Sequence, residues 1–211
     1  MNRILLLAAI ALVAGCSPGI KGDGVIVTTN APISEFSVLE VSGAYKIKWS
    51  PGKPALSIST DQNLLPLITM KVAGNTLEID QQQNLRPTKG ITVNVSSASL
   101  GTVRLNGAVS LTASNVSAQD LKLECNGACS IRLDGSVTNL KVSFSGASSL
   151  SARSLRSQTA RIELNGASSV DVTVSESLDA SISGAGSVTY GGNPKTVEQK
   201  ISGVGRIQSR P

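Results

Sequence analysis

The chain contains no histidine, and aromatic residues make up only 2% of its 211 positions. Lacking histidine, it has neither the commonest general base nor the commonest metal ligand. Its three cysteines, with no histidine to join them, do not make a zinc site. The net charge of +5 is spread along the chain, and no block of Lys and Arg is interleaved with aromatics. That distribution argues against a nucleic-acid partner. Hydrophobic residues are nevertheless 40% of the chain. The core must therefore be made of Val, Ile, Leu and Ala, which suits thin, regularly stacked layers. Twenty glycines favour strands and tight turns over helices.

What the chain has in abundance is one phrase. Leu105-Asn106-Gly107-Ala108 returns as Cys125-Asn126-Gly127-Ala128, Phe144-Ser145-Gly146-Ala147, Leu164-Asn165-Gly166-Ala167, Ile182-Ser183-Gly184-Ala185 and Ile201-Ser202-Gly203-Val204. The glycines Gly107, Gly127, Gly146, Gly166, Gly184 and Gly203 are spaced by 20, 19, 20, 18 and 19 residues. A fixed period of that size marks a solenoid. Before each glycine, apolar residues alternate with polar ones, as in Val103 and Leu105 or Val142 and Phe144. A second alternating run follows the corner, with Leu111, Ile131, Leu150, Val170, Val188 and Ile207 in one column. A unit of about 19 residues buries such a face only by stacking on its neighbours. The fold expected is all-β: a right-handed parallel β-helix of about six coils of 18–20 residues. A third, less regular strand is expected around Val116, Val137, Leu155 and Val174.

The other columns follow from this geometry. The corner glycines form a structural ladder of tight bends, needing positive φ or no side chain where coils touch. Asn106, Asn126, Ser145, Asn165, Ser183 and Ser202 are expected to stack as a polar ladder beside them. Ser110, Ser130, Ser149, Ser169 and Ser187 follow the corner, where their hydroxyls are expected to satisfy backbone groups. Arg104 with Glu124, and Asp134 with Arg153, are expected to pair between coils. Glu124 and Glu163 share a column two coils apart, a spacing near that of inverting glycosidases, but nothing in the sequence raises either pKa. Cys125 and Cys129 have inward parity and are either a disulfide pinning one corner or two buried thiols. No catalytic residue, metal or cofactor is assigned.

The repeats are preceded by a different N-terminal part. Phe36 to Trp49 alternates and contains Ser42-Gly43-Ala44, a distant copy of the phrase. Further strands are expected at Leu56–Ser59, Met70–Val72, Thr76–Ile79 and Ile91–Val95, with an N-capped helical turn starting at Asp61 and limited by Pro66. These strands are expected to cap the front of the rod. Tyr45 and Trp49 read as core packing before a sugar-stacking platform. At the back, Gln199, Lys200, Arg206, Ser209, Arg210 and Pro211 read as a polar cap that keeps the protein a monomer.

The first residues are an address. Met1-Asn2-Arg3, the apolar run Ile4–Val13 and Ala14-Gly15 make a secretory signal too short to span a bilayer as an anchor. Leu12-Val13-Ala14-Gly15-Cys16 resembles the lipobox of bacterial lipoproteins. That resemblance implies cleavage before Cys16, lipid on Cys16, and, with Ser17 next, attachment to the outer membrane. The organisation expected is a signal peptide (1–15), a tether (16–34) in which Val25–Thr29 can pair as an edge strand, and one domain (35–211). That domain divides into an N-terminal β part (35–95) and regular repeats (96–211).

Phe36 to Trp49 with Val41-Ser42-Gly43-Ala44, Asn63-Leu64-Leu65, Gly74-Asn75-Thr76-Leu77-Glu78-Ile79, and the repeats ending in Ser183-Gly184-Ala185-Gly186-Ser187 and Tyr190-Gly191-Gly192 together resemble the bacterial envelope family of the auto-transporter adhesin head GIN domain, DUF2807. The resemblance implies a secreted or lipid-anchored all-β protein with no catalytic residues to carry over. The reading is a non-enzymatic, adhesin-like envelope lipoprotein, held to the membrane through Cys16 and presenting a surface to a protein or glycan. The alternatives are a carbohydrate-active β-helix enzyme and a structural or regulatory envelope scaffold.

Overall fold

The computed structural model describes residues 19–210. The signal segment and Cys16 lie outside the described residues. Eight strands form the first half: β1 (Ile20–Lys21), β2 (Ile26–Ala31), β3 (Val38–Pro51), β4 (Ala55–Asp61), β5 (Ile68–Ala73), β6 (Thr76–Gln81), β7 (Leu85–Arg86) and β8 (Thr92–Ser97). The repeats supply β9 (Thr102–Gly127), β10 (Ser130–Gly146), β11 (Ser149–Gly166), β12 (Ser169–Gly184), β13 (Ser187–Gly191), β14 (Thr196–Gly203) and β15 (Arg206–Ser209). A single 3-10 turn at Leu65–Leu67 is the one helical element among the described residues.

The repeats wind into a parallel β-solenoid. β9 pairs in parallel with β10, β10 with β11, and β11 with β12, in a register that sets Gly127 beside Gly146, Gly146 beside Gly166, and Gly166 beside Gly184. β14 closes the ladder with Gly203 beside Gly184, while β15 lies on β13. Five full turns separate the six recurring glycines, one fewer than the six coils expected. A further rung comes from outside the repeats. β3 pairs in parallel with β9 from Val38 beside Thr102 to Trp49 beside Ala113, with Gly43 beside Gly107. Thus the distant copy Ser42-Gly43-Ala44 is the first rung of the rod. Seven rungs make six steps, and at about 4.8 Å per step the ladder is about 29 Å long.

Inside the rod the columns are apolar because every second residue points inward. Leu39 lies beside Val103; Leu123, Val142, Ile162, Ala180 and Gln199 continue the same column. Cys125, Phe144, Leu164 and Ile182 fill the next one and are fully buried. The third face is not one column. Val116 pairs with Gly135, and Gly135 with Leu155, whereas Val137 pairs with Ala118 and Ser157, and Ser157 with Val174. Val137 and Val174 therefore stand two residues out of line with Val116 and Leu155. The register shifts at Arg132/Asp134 and Ala152/Arg156 absorb the unequal coil lengths here. One such shift also separates the expected pair of Asp134 and Arg153. Asp134 instead accepts the backbone N–H of Asn115 at 2.6 Å, and Arg153 binds Asp171.

The front end is covered as expected, by strands that continue both faces of β3. β6 pairs in parallel with its first half and carries β5 antiparallel. β8 pairs in parallel with its second half and carries β4, then β2. Part of the expected tether belongs to this cap. β1 pairs with β7, and β2, which takes up the expected edge strand from Ile26 rather than Val25, pairs antiparallel with β4 from Leu56 to Asp61.

The device that holds it is Asp61. Instead of capping the helical turn, whose N-terminus has no side-chain cap, its buried carboxylate accepts Gly24 N–H at 2.9 Å, Thr88 N–H at 2.9 Å and the Thr88 hydroxyl at 2.7 Å. Asn63 adds two bonds, accepting Asp23 N–H and donating to Lys21 O. Burial alone would raise the Asp61 pKa, but the hydrogen bonds from Thr88 and Gly24 outweigh it and hold the carboxyl below its ordinary range. A depressed folded-state pKa gives stability that is complete above the unfolded value and is lost as pH falls through the folded one. Protection of the Gly24 and Thr88 amides against hydrogen exchange, taken relative to the intrinsic rate at each pH, should therefore be high at neutral pH and fall selectively in acid. Asp61→Asn should lower that protection at neutral pH and remove its dependence on acid. Unchanged protection in the variant would show that Asp61 does not hold this segment.

Candidate binding surfaces

Among the described residues the rod offers several surfaces that a ligand could meet. The face before the glycine corner is a charge ladder. Arg104 lies 3.4 Å from Glu40 and 3.2 Å from Glu124, and Lys122 lies 2.6 Å from Glu124. Arg161 lies 2.9 Å from Glu163 and 3.7 Å from Asp179. The expected Arg104–Glu124 pair is thus part of a longer alternation along the rod. The Lys122 ammonium, with Arg104 beside it, holds the Glu124 carboxyl below its ordinary range. Arg161 does the same to Glu163. A general acid needs the opposite shift, so neither residue of the glycosidase-like pair is set up to donate a proton.

Behind the corner runs a shallow trough of about 830 Å³. Its two sides are the exposed alanine column Ala108, Ala128, Ala147, Ala167 and Ala185 and the serine row Ser110, Ser130, Ser149, Ser169 and Ser187, with the buried Val109, Cys129, Ser148 and Ser168 between them. These five serines are exposed. The hydroxyls that serve the corner belong to the residue before them: Ser148 donates to Gly127 O at 3.2 Å and Ser168 to Gly146 O at 3.3 Å. Both are buried. The doubled serines of Gly146-Ala147-Ser148-Ser149 and Gly166-Ala167-Ser168-Ser169 were the available signal for this division of roles. A third surface, a depression of about 560 Å³, is lined by Ser130, Ser149 and Ser151 together with Arg132, Arg153 and Asp171.

The glycine ladder explains why the corner is so narrow. A Cβ at Gly146 would stand 2.4 Å from Gly127 O, and its φ is +123°. Carbonyls of successive glycines accept the next coil's alanine N–H instead, as in Ala147 N–H to Gly127 O at 2.9 Å. The polar ladder beside it is formed in part, with Asn126 donating to Asn106 at 3.2 Å. Cys125 and Cys129 are joined as a disulfide across the Gly127 corner, with 6.4 Å between their Cα atoms. Tyr45 and Trp49 are 2% exposed, so neither offers a stacking platform. Trp49 donates its indole N–H to Ser97 at 2.9 Å. Burial, with Asp80 nearby, pushes the Tyr45 hydroxyl well above its ordinary pKa. Among the described residues no group of three or more His, Cys, Asp or Glu could hold a metal ion. No helix among them is long and apolar enough to cross a membrane.

Comparison with known proteins agrees with this architecture. Residues 35–194 match the family described as "Putative auto-transporter adhesin, head GIN domain". The fold is similar to that of a "putative adhesin" from Bacteroides fragilis, with a TM-score of 0.73, 20% identity, and coverage of 91% of this chain and 100% of that one. A "putative adhesin" from Parabacteroides distasonis gives a TM-score of 0.58 at 16% identity, covering 92% and 100%. A "Putative lipid binding protein" from the same species gives 0.51 at 20% identity, also covering 92% and 100%. No curated protein matches the chain.

Proposed function

Because this chain belongs to the head GIN domain family of auto-transporter adhesin type, we propose that it is a non-enzymatic, adhesin-like protein of the cell envelope that presents the side of its rod to an extended protein or glycan partner. The observation that carries this reading is the near-equality of the coils. From Gly107 to Gly203 corners recur every 18–20 residues, so no long loop rises between these coils to wall off a reaction groove. What remains is one rung repeated, with a trough of small side chains running along the corner. A long, repetitive ligand meets the same contacts at each step. The carbohydrate-active enzyme reading would need an acid held protonated, and Glu124 and Glu163 are held the other way.

Attachment is through lipid on Cys16, which stands three residues before the first described residue. Several acyl chains, at about 0.8 kcal/mol per buried CH₂, give lasting anchorage where one gives only marginal binding. Cys16→Ser should release the protein from the membrane fraction or stall its processing. A variant that still fractionates with outer membranes like the wild type would contradict the anchor. For the binding surface, Ala147→Trp should obstruct the middle of the trough without touching the core, since Ala147 is exposed. Envelope pull-downs should lose the partner with this variant. Equal recovery by both proteins would move the binding surface elsewhere on the rod.

A further inference from the structure

The last coil does not have the geometry of a finished end. β14 keeps full parallel register with β12, from Thr196 beside Ser177 to Gly203 beside Gly184. Its other edge has no strand beside it among the described residues. Val197, Gln199 and Ile201 lie in register with the fully buried Leu178, Ala180 and Ile182, so they continue the core columns. Among the described residues their outer side is left open: Val197 is half-buried against the core, Gln199 is exposed and Ile201 is 46% exposed, with Val204 at the corner 85% exposed. An open edge with apolar inward positions is a template for another strand.

The sequence of this edge selects the strand. Set β14 antiparallel to a second β14 with the twofold axis at Gln199. Val197 then faces Ile201 of the second copy on the core side, and Glu198 faces its Lys200 on the solvent side. Each contact occurs twice. Residues directly opposite in an antiparallel pair share a face, and opposite charges there attract. Sliding the register by one step either way puts Glu198 against Glu198 or Lys200 against Lys200. A half-step puts the core positions outside. Among the described residues the other long open edges lack this property. β2 (Ile26–Ala31) is uncharged, β15 in the register that keeps its faces matched would set Arg206 against Gln208, and the lysine of β5, Lys71, is already bound to Glu78 at 2.9 Å.

We propose that the back end of the rod is a homophilic docking surface, at which β14 of one copy pairs antiparallel with β14 of a second. The polar residues read as a monomer's cap, Gln199 and Lys200, are then the register marks of this interface. The twofold axis reverses the second rod, so the two front caps point in opposite directions. The residues nearest Cys16 sit on the front cap, since β1 pairs with β7 there. This part rests on the anchored-adhesin reading: two rods standing on two membranes by their fronts would join those membranes through their backs.

The interface is tested in solution with the full chain carrying Cys16→Ser, by light scattering across a concentration series. A two-copy species is expected to form reversibly. Glu198→Lys alone and Lys200→Glu alone should each weaken it by at least about tenfold, because each turns two attractive cross-strand pairs into repulsive ones. The double variant with both changes should restore it. Gln199→Cys should give a covalent dimer on mild oxidation, because opposite Cα atoms about 4.5–5.5 Å apart fall within disulfide reach. A chain that stays monomeric throughout, single variants that dimerise like wild type, or a double swap that fails to rescue would each overturn the interface. The bridging geometry is tested with the lipidated protein on two differently labelled vesicle populations. Clustering between populations should require protein on both and should fail with Lys200→Glu. If the soluble dimer forms but vesicles do not cluster, the interface stands and the membrane-bridging arrangement is overturned.

Discussion

Gly146→Val should lower the stability of the rod by more than about 3 kcal/mol and its melting temperature by roughly 6–12 °C. Two effects add. At φ +123° a β-branched residue sits in a region that only glycine occupies readily. Its Cβ would also lie 2.4 Å from Gly127 O and 3.1 Å from Gly127 C and N. Those are backbone atoms of the neighbouring coil, so relief requires the coils to part at the corner. Gly24 supplies the control. Its φ is +84°, but no atom lies within 4 Å of where a Cβ would go. Gly24→Ala should therefore show only the backbone strain, of about 1 kcal/mol. A Gly146→Val protein that melts within a degree of wild type would show that the ladder is not a site of contact between coils.

Phe144→Ala should cost about 3–5 kcal/mol, the range for emptying a fully buried aromatic site. Phe144 lies between Cys125 and Leu164 in its column and is fully buried. Its neighbours cannot close the gap, because each is fixed by a parallel ladder to the coils on both sides. In a stack of nearest-neighbour units the loss also weakens the coupling of one half of the rod to the other. Chemical denaturation should then lose its single transition or shift it to markedly lower urea. Val204→Ala, at a position 85% exposed, should leave the transition where it is. Equal effects from the two variants would contradict the assignment of the core.

These residues also show what a sequence can and cannot disclose. Phe144 and Gly146 were legible because their partners stand one period away, and a repeat makes such contacts visible as columns. Ser42-Gly43-Ala44 was visible as a copy, but its partner Gly107 lies beyond the excursion through β4 to β8. No period crosses that interval, so its place as the first rung was not. The third face failed for another reason. Coil lengths differ there, and register shifts take up the difference. Counting residues therefore aligned Val137 with Val116, where the ladder aligns it with Ala118. The glycine- and proline-containing stretch 16–34 read as a tether because the side chains that hold its described part belong to Asp61 and Asn63, far along the chain. Bonds between backbone N–H groups and one distant carboxylate leave no pattern in the segment they hold.

The central claim is that the rod binds an extended partner and does not transform it. The direct test is to incubate the mature protein with glycan and peptidoglycan arrays and with envelope extract, then recover what it retains and analyse it by mass. The account predicts saturable retention of a partner recovered intact, reduced by Ala147→Trp. Shortened or eliminated glycan products that accumulate with time would contradict it.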